Sequence, residues 1–182
     1  MNIKKIKGSD KTGLAIVLIL IVFAVVSRVM PHPANFAPIA AIAIFGGAIL
    51  PRKLALLLPL GAMIISDLFI GLHPLILFTW GSFAMIALLS SYKFKKINAL
   101  NVLGASMGAS VLFFLVTNFG VWIEGRLYSL TWEGLTTSYY NALPFFRNTL
   151  LGDLVFTAAL FGLYAFAQAI VKSHLKVKQT NA

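Results

Sequence analysis

The chain has 182 residues, of which 59% are hydrophobic and only 11% charged, with a mean hydropathy of +0.90. Soluble domains carry about 25% charged residues, so this chain cannot clothe itself for water and lipid is its solvent. The net charge of +10 does not mark a nucleic-acid binder, because no soluble domain carries it, and the lack of cysteine excludes disulfides, thiolate metal sites and thiol catalysis.

Lys4, Lys5, Lys7 and Lys11 precede the first apolar run, residues 12–30. That run is long enough for a hydrocarbon core of ~30 Å. Arg28 and Pro31 follow instead of a small-residue cleavage site, so the run reads as a retained span rather than a signal peptide. The segment Pro31-His32-Pro33-Ala34-Asn35-Phe36 is a turn, because its two prolines forbid helix continuation. The second run, 37–50, is short for a crossing, so part of this turn is expected at membrane depth, shielded by protein. The third span covers 54–72 and contains Pro59, and His73-Pro74 turns the chain into the fourth, 75–91. The fifth covers 100–122 and carries the small-residue pairs Gly104/Gly108 and Ala105/Ala109; Ala43/Gly47 is a similar pair in the second. Such spacing lets helix backbones approach closely. Residues 123–148 are expected to form an aromatic outer lid, and 149–171 the sixth span. The expected fold class is all-α: a polytopic membrane protein with six transmembrane helices in one bundle, a single domain over residues 1–182.

Charge sets the orientation. Arg52 and Lys53, then Lys93, Lys95 and Lys96, and finally Lys172, Lys176 and Lys178 fall at alternate junctions with the amino-terminal lysines. Basic residues flanking spans stay in the cytoplasm, which places both termini inside.

The informative polar residues collect toward the opposite side. Asp67 lies five residues before the end of the third span, roughly 7 Å below the boundary. Asp153 lies a short way into the sixth span, and Arg28 and Arg147 are the cations available to pair with them. A carboxylate at such depth must face the bundle interior or a wet cavity. It serves either as a ligand group or as part of an ion pair or helix cap. His32 and His73 share the outer connections; they read as loop residues bonded to nearby backbone, as a metal site, or as one axial ligand to a metal carried by a bound molecule. His174 belongs to the basic tail. Trp122, Tyr139 and Tyr140 read as interface anchors or as walls of a ligand site, and the length of 123–148 favours a lid. Asn35, Asn118, Asn141 and Asn148 add hydrogen-bonding groups near the same surface. No nucleotide loop or nucleophile–base pair is visible, so no enzyme, cofactor or resident metal site is expected.

Four segments carry a resemblance: Pro31-His32-Pro33-Ala34-Asn35-Phe36-Ala37-Pro38, Ser66-Asp67-Leu68-Phe69-Ile70-Gly71-Leu72-His73, Leu115-Val116-Thr117-Asn118-Phe119-Gly120-Val121-Trp122, and Pro144-Phe145-Phe146-Arg147-Asn148-Thr149-Leu150-Leu151-Gly152-Asp153. With them the chain resembles an uncharacterised bacterial family of six-helix transport proteins. That family is similar to the substrate-binding S components of energy-coupling-factor (ECF) vitamin transporters, and closest to the solitary cobalamin-transporting BtuM type. The resemblance implies a six-helix S-component fold in the bacterial cytoplasmic membrane, with an outward-opening cavity for a vitamin-like solute. Some cobalamin-transporting relatives place a cysteine on the metal; here Thr79 and Trp80 occupy the corresponding region, which rules out thiolate ligation. An alanine-xxx-alanine pattern for docking an energising ATPase module is absent, since Ala15 is followed by Ile19 and Ala24 by Arg28.

The reading is therefore a protein that captures a vitamin-like solute, such as a corrinoid, from outside the cytoplasm. His32, Asn35, Asp67, His73, Asn118, Trp122, Tyr139, Tyr140, Arg147 and Asp153 are the expected substrate-binding residues. The lipid bilayer is the expected environment and nucleic acid is not a partner. A non-transporting scaffold or accessory subunit is the alternative.

Overall fold

The structure, a computed structural model, describes residues 11–94 and 97–180. Lys4, Lys5, Lys7, Lys95 and Lys96 lie outside the described residues, as do the side chains of Lys11, Lys93, Lys172, His174, Lys176 and Lys178. Six helices make up the fold: α1 (Lys11–Val29), α2 (Ile39–Ile49), α3 (Arg52–Ile70), α4 (Ile76–Lys93), α5 (Ala99–Ile123) and α6 (Trp132–Thr180). No strand occurs among the described residues.

The helix ends follow local chemistry. Pro38 and Pro51 stand immediately before α2 and α3, where a missing N–H costs nothing. Gly71 ends α3 with φ 109°, a conformation that a Cβ would strain. The Asn98 side chain accepts from the Asn101 N–H at 2.7 Å and caps α5.

The short α2 is the hub. All eleven of its residues are buried, and it touches every other helix. Gly47 makes this possible: a Cβ there would lie 2.6 Å from Ser90 Cβ and 2.7 Å from the Ala87 carbonyl oxygen of α4. The Ala43/Gly47 pair thus serves α2–α4 packing. Gly104 and Gly108 differ, for nothing lies within 4 Å of where their Cβ atoms would be.

The outside of the bundle is apolar. Ile19, Leu68, Phe69, Leu77, Leu100 and Phe166 are all well exposed, as expected of a bundle immersed in lipid. Three helical stretches, Arg52–Ile70, Ala99–Ile123 and Trp132–Val171, are long and apolar enough to cross a membrane; α1, α2 and α4 contribute shorter apolar stretches.

One expectation needs correction. Residues 123–148, expected as an outer lid separate from a sixth span at 149–171, are mostly part of that helix: α6 begins at Trp132 and runs unbroken through Pro144. Thr131 Oγ1 accepts from the Gly134 N–H at 3.1 Å and starts the helix. Only 124–131 is a connection, and Trp122 pins it by donating its indole N–H to the carbonyls of Ser129 and Thr131, at 3.0 and 3.2 Å.

Candidate functional site

The connections after α1, α3 and α5 gather at one end of the bundle. There two adjoining compartments open, of ≈ 430 Å³ and ≈ 220 Å³. Asn35, Thr79 and Phe113 line both and form the partition between them. The larger is bounded further by Arg28, His32, Met63 and His73; the smaller by Asn118, Ala142 and Phe146.

Each polar group is placed by a local feature. Asn35 adopts φ 61°, which asparagine tolerates better than most residues. Its neighbour Ala34 accepts a hydrogen bond from the Asn148 side chain at 3.1 Å, tying the α1–α2 turn to α6. His32 Nδ1 lies 2.8 Å from the Pro33 carbonyl oxygen. Thr79 Oγ1 donates within α4, to the Leu75 and Ile76 carbonyls. The Asn118 amide donates to the Phe114 carbonyl at 2.7 Å, which leaves its carbonyl oxygen free to accept. Phe83 and Phe113 stack at 4.9 Å between centroids and form an apolar wall.

A charged network backs this cavity. Asp67 is fully buried. One oxygen meets the Arg28 guanidinium at 2.9 Å, and the other accepts from the Trp80 indole N–H at 2.8 Å. His73 Nε2 stands 3.9 Å from that second oxygen. Arg28 also donates to Ser66 Oγ at 2.7 Å and approaches the Met63 sulfur at 2.8 Å. Ser66 in turn donates into its own helix, to the Ala62 carbonyl at 2.7 Å. The carboxylate therefore sets Arg28 and His73 on the cavity wall without lining it. Because the pair is neutral, the cavity presents donors and a flat apolar face rather than net charge.

The chain belongs to a family of unknown function, DUF6580. The family model matches residues 9–175. No curated protein and no solved structure matches the chain.

In this DUF6580 member, His32, Asn35, His73 and Asn118 converge on the compartments, with Asp67 behind them. The other expected residues lie elsewhere. Trp122 pins the 124–131 turn and lines neither compartment. Tyr139 donates its hydroxyl to the Leu115 carbonyl at 2.7 Å, so it joins α6 to α5. Tyr140 and Arg147 are exposed and line neither compartment, because the helix continuing through 132–148 turns them outward. Asp153 is buried between α5 and α6, where Ser110 Oγ donates to it at 2.6 Å; it neither caps a helix start nor meets Arg147. Sequence reasoning passed over Thr79, Phe113 and Met63 as lining residues; the i, i+4 spacing of Thr79 and Phe83 was the signal available. Among the described residues no cluster of three or more metal-ligating side chains occurs.

Proposed function

We propose that this protein is a membrane-embedded uptake protein, with six crossings and both termini in the bacterial cytoplasm, that binds a vitamin-like solute at its extracytoplasmic end. The observation that carries the reading is the convergence of His32, Asn35, His73 and Thr79 on one cavity beside a stacked aromatic wall. Small-molecule sites typically enclose about 300–1,000 Å³ with a few placed polar groups on an apolar lining. The compartments suit a flat heterocycle that takes donors from imidazole and amide. A corrinoid, the specific solute the resemblance implies, is larger and would require the 132–148 part of α6 to move; His32 or His73 would then face its cobalt. An ATPase module is disfavoured as partner, since Ala24 of α1 is buried in the core and Arg28 is held by Asp67.

The test is native mass spectrometry of the purified full chain after incubation with a panel of water-soluble vitamins and corrinoids. Retention of one solute, weakened about 2–10-fold by Asn35→Ala or Thr79→Val, is expected from loss of a single directional hydrogen bond to a bound ligand. Failure to retain any of them overturns the reading. The open small-residue face of Gly104 and Gly108 favours the scaffold alternative, for which co-purification of a stable partner lost in Gly108→Leu is the expected result.

A further inference from the structure

A second polar centre lies in the α5–α6 seam, apart from the cavity. Ser106 and Ser110 stand one turn apart on α5, and Asp153 and Thr157 one turn apart on α6. All four are buried, at 0, 0, 3 and 1% exposure. Ser110 Oγ lies 2.6 Å from Asp153 Oδ2 and 3.1 Å from the Ser106 carbonyl oxygen. The hydroxyls of Ser106 and Thr157 have no hydrogen-bond partner. Among the described residues Asp153 has no ion-pair partner. Ser106 and Thr157 also border one groove of ≈ 730 Å³, which reaches Asn98 at the start of α5.

This combination leaves a buried carboxylate without a countercharge and two buried hydroxyls without partners. A carboxylate removed from water needs a countercharge, and buried hydroxyls need partners. A proton on Asp153 would answer the first need and leave both hydroxyls orphaned. A cation coordinated by oxygens answers both. The donors are all hard oxygens, with no sulfur or imidazole, which selects against transition metals. One carboxylate supplies one negative charge, whereas calcium sites gather several. We infer that the Ser106–Ser110–Asp153–Thr157 cluster is a binding site for a monovalent cation of sodium size, reached along the α5–α6 groove. The inference is independent of the solute reading.

The experiment is thermal unfolding of the full chain in detergent, in sodium, potassium or choline chloride at one ionic strength, with sodium-22 binding measured alongside. Wild type is expected to show a saturable sodium-specific rise in midpoint, about 3–6 °C at roughly ten times the dissociation constant. Ser106→Ala and Thr157→Val each remove one oxygen at little change in volume and should abolish most of the rise; Tyr140→Phe, on the exposed face of α6 and more than three turns from Asp153, should retain it. Identical unfolding in sodium and choline overturns the inference, as does a full sodium response in Ser106→Ala. A midpoint that follows pH alone, with no bound sodium-22, assigns a protonated carboxyl to Asp153 and overturns it too. Loss of solute binding without loss of the sodium response would fault the solute reading only.

Discussion

Two buried carboxylates divide this bundle. Asp67, on α3, has a guanidinium on one oxygen and an indole N–H on the other, with an imidazole nearby. Asp153, on α6, has one serine hydroxyl. Both are almost wholly shielded, so solvent does not account for the difference. The partners of Asp67 come from α1 and α4, so its charge fastens three helices at the mouth of the cavity. The surroundings of Asp153 are neutral and partly unpartnered, so its charge fastens little. A buried charge held by a countercharge is architecture; one without a countercharge invites an occupant.

The sharpest way to break this contrast is to remove Arg28. Arg28→Ala leaves Asp67 buried and unpaired, which should cost about 3–5 kcal/mol in detergent unfolding. Adding Asp67→Asn to that variant should return much of the loss, because the orphaned charge is gone. If the double variant is as unstable as the single, the ion pair is not what Arg28 contributes. Trp80→Phe comes next. It keeps an aromatic ring, smaller than indole, but deletes the donor to Asp67, and a hydrogen bond to a charged group is worth about 1.5–3 kcal/mol. An unchanged unfolding midpoint would mean that the indole bond is incidental and that the two carboxylates are less unlike than their contacts imply.

How much of this was readable beforehand depends on which residues carried the signal. The ends of α2 to α5 fall within a few residues of the expected spans, because Pro38, Pro51, Gly71 and Asn98 punctuate the chain by mechanisms that are local. The start of α6 was hidden. Its buried stripe between 132 and 149 is Gly134, Ser138, Ala142 and Thr149, small or polar residues with no hydropathic contrast to reveal helical period. That helix explains why Tyr139, Tyr140 and Arg147, expected at the cavity, are elsewhere. Arg28 and Arg147 were equal candidates to meet Asp67; helix rotation decides between them, and rotation is set by tertiary packing around α2. The orphaned hydroxyls of Ser106 and Thr157 had no signature at all, since a serine on a helix commonly bonds its own backbone, as Ser110 does.

Smaller effects test the α5–α6 seam. Tyr139→Phe removes a neutral hydrogen bond to the Leu115 carbonyl, and about 0.5–1.5 kcal/mol should be lost. A cost as large as that of Arg28→Ala would make this seam, rather than the Asp67 network, the fastening of the fold.

Asp153→Asn completes the comparison and should have the smallest effect of all when sodium is absent. The substitution is nearly isosteric and keeps an acceptor for Ser110. It removes a charge that has no cationic partner, so the relief of desolvation offsets what the polar contact loses. Unfolding in choline chloride should therefore change by less than about 1 kcal/mol, in either direction. In sodium chloride the same variant should fall behind wild type, because only wild type gains from the bound ion. A loss in choline comparable with that of Arg28→Ala would place Asp153 in the same class as Asp67, and its hydroxyl surroundings would then be sufficient on their own.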